Sequence, residues 1–194
     1  MNTAVVIPAA GLSTRFPPNK LLEKLEDRTA IEHTVNTFIN FDVDIYVILG
    51  YDYETVEAAL TRRFGDRLIY EYNTHFHEGM ASSLVTGLKA AGLHYDYWCV
   101  CPGDKPFIQQ QTLAFLLEQL VEEAPLIMVP RHNRKMVHPV FFATDLGPQL
   151  ETLRGDQGGK SIIEANLEDV LFLELDDEGV TLDMDQFLEF EAGR

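Results

Sequence analysis

The sequence predicts an α/β protein with a mostly parallel sheet and helices on both of its faces, and three observations support this. Apolar runs rich in β-branched residues alternate with helical-period segments of roughly 10–15 residues, the pattern of repeated βαβ units. The runs are apolar almost throughout rather than at every second residue, as strands covered on both faces are. The 194 residues are 46% hydrophobic and 24% charged, an ordinary globular composition with enough apolar material for one core. Right-handed crossovers between the strands then give three layers. No repeat, low-complexity tract or linker divides the chain, so a single domain over residues 1–194 is expected.

Thr3–Pro8 (TAVVIP) opens the pattern as a buried strand closed by Pro8. After a loop with Gly11, Pro17 and Pro18, the residues Ile31, Val35, Phe38 and Ile39 fall at i, i+4, i+7 and i+8, one stripe of a helix. Asp44–Leu49 is the second strand, Tyr53–Arg63 a helix, Leu68–Tyr72 a strand, Met80–Ala91 a helix and Tyr97–Cys101 a strand. Gln109–Glu123 is predicted as a helix with the stripe Leu113, Leu116, Leu117, Leu120 and Val121, and Leu126–Val129 as the next strand. Beyond Pro130 the alternation loosens. A basic stretch, Arg131–Lys135, leads to a short strand at Pro139–Phe142, expected at a mixed edge of the sheet, and Gly155–Gly159 precedes a short helical segment.

Charge narrows the function. Lys and Arg total 15 against 31 Asp and Glu, a net charge of −16, and such a surface repels phosphate backbones and anionic lipid. No nucleic-acid or membrane partner is expected. No apolar run approaches the roughly 20 residues that span a bilayer, and Met1–Ala10 lacks a signal peptide's basic flank and cleavage site, so a cytoplasmic location is expected. Cys99 and Cys101 share one apolar strand, too close for a normal disulfide, and are read as buried thiols.

Four segments have the residue types that chemistry needs. In Ala9-Ala10-Gly11-Leu12-Ser13-Thr14-Arg15, followed by Lys20, small residues after the first strand let backbone amides approach a ligand at the carboxyl end of the sheet. Arg15 offers a bidentate fork and Lys20 a point charge for phosphate, although an ordinary β–α loop with solvated charges has the same composition. Gly103-Asp104-Lys105-Pro106 puts a carboxylate on the same rim, either as half of a Mg²⁺ site or as a turn former. Asp183 and Asp185 are candidates for the second carboxylate if their segment is extended, and for a helix cap before Gln186–Glu191 if it is not. Gly79-Met80-Ala81-Ser82-Ser83 opens a helix with two hydroxyls, as caps or as ligand contacts, and Arg131, Lys135 and His138 form a basic patch for a second anionic substrate or a solvated loop.

Taken in order, these segments resemble the molybdenum cofactor nucleotidyltransferases of the MobA-like NTP transferase family, most closely the cytidylyltransferases. The family's opening A-A-G-x-S-x-R and later K are matched by Ala9–Arg15 and Lys20, its G-M-x-x-S-L by Gly79–Leu84, its G-D-x-P by Gly103–Pro106, and its G-H-P by His138-Pro139. Its G-D-x-G-x-R appears as Gly155-Asp156-Gln157-Gly158-Gly159-Lys160 and its terminal D-x-D as Asp183-Met184-Asp185. Phe16–Asn19, Val137, Lys160 and Gln186-Phe187 depart from the pattern, altering the loop's length and the frame of the last aspartate.

The resemblance implies a Rossmann-like, nucleotide-diphospho-sugar transferase-like fold and transfer of a cytidylyl group from CTP to molybdopterin or its molybdenum form, with loss of pyrophosphate. It implies nucleotide binding by Ala9, Ala10, Gly11, Ser13, Arg15, Lys20, Gly79, Ser82, Ser83 and Asp104, and catalysis by Arg15, Lys20 and Asp104. The acceptor, a phosphorylated pterin, would meet Arg131, Lys135 and His138, and Mg²⁺ would be held by Asp104 with Asp183 or Asp185. A molybdoenzyme or its chaperone is the implied protein partner. Ala10, standing where guanylyl-transferring relatives carry glycine, is expected to narrow the space beside the base and favour a pyrimidine. Two rival readings are transfer to a sugar or alditol phosphate, and a cofactor-binding accessory protein without turnover.

Overall fold

The computed structural model describes residues 1–192. The strands are β1 (Thr3–Ala9), β2 (Lys24–Leu25), β3 (Arg28–Thr29), β4 (Asp44–Leu49), β5 (Ile69–Tyr72), β6 (Tyr97–Val100), β7 (Ile127–His132), β8 (Lys135–Met136), β9 (Val140–Ala143) and β10 (Val170–Glu174). The helices are α1 (Ala30–Phe38), α2 (Tyr53–Phe64), α3 (Met80–Ala91), α4 (Gln110–Glu123), α5 (Gly147–Leu150), α6 (Lys160–Ala165) and α7 (Met184–Ala192). One sheet runs in the order β10-β7-β9-β6-β1-β4-β5, with β8 off β7; β2 and β3 form a separate hairpin. β1 pairs in parallel with β4 and β6, β4 with β5, and β7 with β10.

Alternation along β1 divides the core. Val5 and Ile7 face the layer built by Ile31, Val35 and Phe38 of α1 and Leu113, Leu116 and Leu120 of α4. Ala4 and Val6 face Ala81, Leu84 and Leu88 of α3 and Ile162 and Ile163 of α6. This is the predicted three-layer arrangement, and the α1 stripe is buried as expected. A capping box starts α1: Glu32 N donates to Thr29 Oγ1, and the Glu32 carboxylate accepts from Thr29 N at 2.6 Å. Cys99 and Cys101 are buried free thiols.

The structure differs from the sequence reading at three points. The short strand near Pro139 lies inside the sheet, not at its edge: β9 pairs antiparallel with both β6 and β7, and Val140, Phe141 and Phe142 are buried. The edge strand on that side, β10, is absent from the sequence reading: its run Val170–Leu173 is apolar but short, and it lies in the region where the helix–strand alternation has already loosened. Val121 of α4 is 60% exposed, since a stripe of five apolar residues is wider than the face that meets the sheet.

Candidate active site

A cleft of about 650 Å³ opens at the carboxyl ends of β1 and β6, where the loops after both strands converge with the start of α3 and with Asp185 of α7. Ala9, Ala10, Gly11, Ser13, Arg15 and Lys20 line it, as do Gly79, Ser83, Asp104 and His138. A Cβ on Gly11 would meet nothing within 4 Å, so its missing side chain leaves room on the ligand side rather than serving the protein's own packing.

The loop from Gly11 to Lys20 is held by a residue that sequence reasoning passed over. Asn19 is buried; its Oδ1 accepts from Leu21 N and from Ser13 Oγ, and its Nδ2 donates to Asp52 Oδ2. Ser13 Oγ in turn accepts from Lys20 N at 3.2 Å, so that hydroxyl is occupied in closing the loop. The departure at Phe16–Asn19 therefore carries its own internal tie.

At the rim, four charges meet. Lys20 Nζ lies 2.7 Å from Asp104 Oδ2 and 2.8 Å from Asp185 Oδ1, and Arg15 Nη2 lies 2.9 Å from Asp185 Oδ2. The side chains of Lys20, Asp104 and Asp185 are 19%, 19% and 12% exposed, whereas Arg15 is 72% exposed. Burial pulls the Lys20 pKa down, but Asp104 and Asp185 outweigh it and hold the ammonium charged.

Of the two terminal aspartates only Asp185 reaches this cluster. The segment is not extended. Asp183 Oδ1 accepts from Gln186 N at 3.0 Å and Gln186 Oε1 accepts from Asp183 N, a reciprocal cap on α7, and Asp183 Oδ2 lies 3.5 Å from Lys105 Nζ. Met184 N donates to the Asp104 carbonyl at 3.1 Å and so fixes the start of α7 against the loop after β6.

The start of α3 forms the adjoining wall. Gly79 has φ +105°, and a Cβ there would come within 2.4 Å of the Gly155 carbonyl, whose oxygen accepts from Ala81 N at 2.9 Å. The 155–159 loop is thereby docked on α3. Ser82 and Ser83 do not cap the helix; both hydroxyls accept from Asn73 Nδ2, at 2.8 and 2.9 Å, and Ser82 is outside the cleft lining. Asn73, buried at the end of β5, is a second positioning residue that sequence reading missed. Ala10 is also buried, with its methyl toward Gly50, where an added Cβ would lie 2.6 Å away. The methyl thus packs beside Gly50, just after β4, and Ala10 itself also lines the cleft.

The expected acceptor patch is rearranged. Arg131 turns away from the cleft and stacks its guanidinium on Phe172, 3.3 Å from the ring centroid, and Lys135 is exposed on the β7–β8 hairpin. His138 does line the cleft, with Nδ1 3.4 Å from the Val100 carbonyl oxygen, but burial and then the Lys105 charge push its pKa down to about 4. It is a neutral ring at neutral pH, not a cation. Lys160 and Asp156 of the 155–160 segment stand at this side instead, over an apolar floor of Met80, Met136, Val140, Phe142 and Ile163.

Residues 5–170 match the model of the MobA-like NTP transferase domain. The chain belongs to that family. Bifunctional protein GlmU of Campylobacter jejuni subsp. doylei is 27% identical over 166 residues, 84% of this chain and 35% of the relative, so the chain spans about a third of that protein's length. A probable molybdenum cofactor guanylyltransferase of Bacillus cereus is 27% identical over 134 residues, covering 68% of this chain and 64% of the relative. The crystal structure of Rv0371c from Mycobacterium tuberculosis H37Rv superposes with a TM-score of 0.81 at 25% identity, covering 99% of this chain and 96% of that one. A manganese complex of Rv0371c gives 0.72 at 24% identity, covering 90% and 89%. In the MobA-like chain described here, no helix among the described residues is long and apolar enough to cross a membrane.

Proposed function

We propose that this MobA-like protein transfers a nucleotidyl group from CTP to the terminal phosphate of a molybdopterin-type cofactor and releases pyrophosphate. The observation that carries the reading is the convergence of Arg15, Lys20, Asp104 and Asp185 beside the open Gly11 loop. Two carboxylates that share one cation through single oxygens, on the rim of a cleft, are hard oxygen donors that suit Mg²⁺ completed by substrate phosphates. Asp104 and Asp185 would hold the ion, and when bound it supplies charge neutralisation to the triphosphate and the leaving pyrophosphate.

This chain's own groups do the rest. Arg15 and Lys20 grip the phosphates, and the small residues Ala9–Gly11 let the backbone lie against them. An acceptor phosphate oxygen attacks the α-phosphorus in line as the bond to pyrophosphate breaks; a phosphate monoester is already ionised, so no general base is needed. The apolar floor that includes Phe142 and Met80 suits a ring system, and the exposed Lys160, whose Nζ lies 3.7 Å from Glu164 Oε1, would meet its anionic substituents.

Radiolabelled CTP, GTP, ATP and UTP, each offered with molybdopterin or with a panel of sugar and alditol phosphates, test the reading. Pyrophosphate release with CTP and molybdopterin is expected. Turnover only with a sugar or alditol phosphate would replace the acceptor, and binding without release in every arm would make the protein a carrier.

A further inference from the structure

The geometry points to a partner exchange at the phosphate end of the cleft: in the free protein Lys20 fills the place of the divalent ion between Asp104 and Asp185, so metal and triphosphate bind as a coupled pair. This rests on the metal-dependent reading above and concerns how the same site is loaded.

The four groups balance, with Arg15 and Lys20 against Asp104 and Asp185. Lys20 Nζ touches one oxygen of each carboxylate, at 2.7 and 2.8 Å, and a cation bridging those oxygens must take the volume the ammonium fills. Metal alone would therefore expel Lys20 and leave it beside a dication without a partner. Triphosphate alone would draw Lys20 and Arg15 away and leave two largely buried carboxylates facing phosphate, an arrangement that costs several times an exposed pair. When both arrive, the metal takes the carboxylates, the two cations take the phosphates, and every charge keeps a partner. Such coupling is reciprocal, so each ligand tightens the other by the same factor.

The consequence is a sign that a simple binding role does not give. Lys20→Met should bind Mn²⁺ without nucleotide at least about tenfold more tightly than the unsubstituted protein, and Lys20→Arg should stay close to it. Electron paramagnetic resonance of free Mn²⁺, with thermal unfolding as a check on folding, reads this directly. In the reverse arm, Asp185→Asn frees Lys20 and Arg15 from one partner and should bind inorganic tripolyphosphate more tightly in the presence of a chelator, measured by calorimetry. If Lys20→Met binds Mn²⁺ no better than the parent, or where it does not fold, if Asp185→Asn gains nothing for tripolyphosphate, the exchange is wrong. Undiminished Mn²⁺ binding by both Asp104→Asn and Asp185→Asn would instead overturn the metal-site reading.

Discussion

At the scale of single residues, charge placement decides the behaviour of the site. Asp104→Asn removes one carboxylate and one partner of Lys20 without changing shape, so kcat should fall by roughly two orders of magnitude or more while the melting temperature moves little. Steady-state kinetics beside a thermal melt check this. His138 gives a second test. Its folded pKa of about 4 lies below the usual 6.5, so the unfolded chain binds the extra proton first, and stability should drop as pH falls from about 6.5 through 4. The contribution is on the order of 3 kcal/mol at most. Melts at pH 4.5 and 7 should differ less for His138→Gln than for the parent. Arg15, Lys20 and Asp104 were legible because their chemistry and position after a strand coincide. Asn19 and Asn73 were not, since a buried amide declares its role only through the partners it meets in space. For Asp183 the sequence leaves two readings open, a ligand on an extended segment or a helix cap, and the reciprocal bonds with Gln186 three residues on decide for the cap.

At the scale of elements, the joint between α3 and the 155–159 loop is the sharpest constraint. Gly79→Ala would force a side chain into a left-handed backbone and against the Gly155 carbonyl, and should cost at least about 2 kcal/mol. Because that joint lines the cleft, nucleotide affinity should fall with it; denaturant unfolding and calorimetric titration follow the two losses separately. The order of the helices and main-sheet strands up to Leu126–Val129 could be read from apolar periodicity, whereas the two-residue strands β2 and β3 could not. The placement of β9 could not, because insertion of an antiparallel strand between β6 and β7 is a property of the return path of the chain, and a run of Val140-Phe141-Phe142 looks the same at an edge or in the middle.

For the whole molecule, the net charge of −16 sets how an anionic substrate arrives. The rim cluster is internally neutralised, so it offers little long-range attraction to offset that field. Raising ionic strength should therefore speed association of triphosphate, the reverse of what a basic binding face gives, over the range where screening lengths shrink from about 30 to 10 Å. Stopped-flow association rates at several salt concentrations would show a falling rate if the rim cations dominate instead.

The cleft is divided along its length. Its polar end is built from the loop after β1, the loop after β6 and the first turn of α7, while its apolar end is built from the start of α3, β8, β9 and α6. The two ends meet at the Gly79–Gly155 joint and where β9 pairs with β6, Val140 opposite Val100. On the proposed reading, substitutions at Met136 or Ile163 reshape what is accepted while leaving the Asp104–Lys20–Asp185 cluster in place, so a lineage of such proteins can drift among acceptors while its phosphorus chemistry stays fixed.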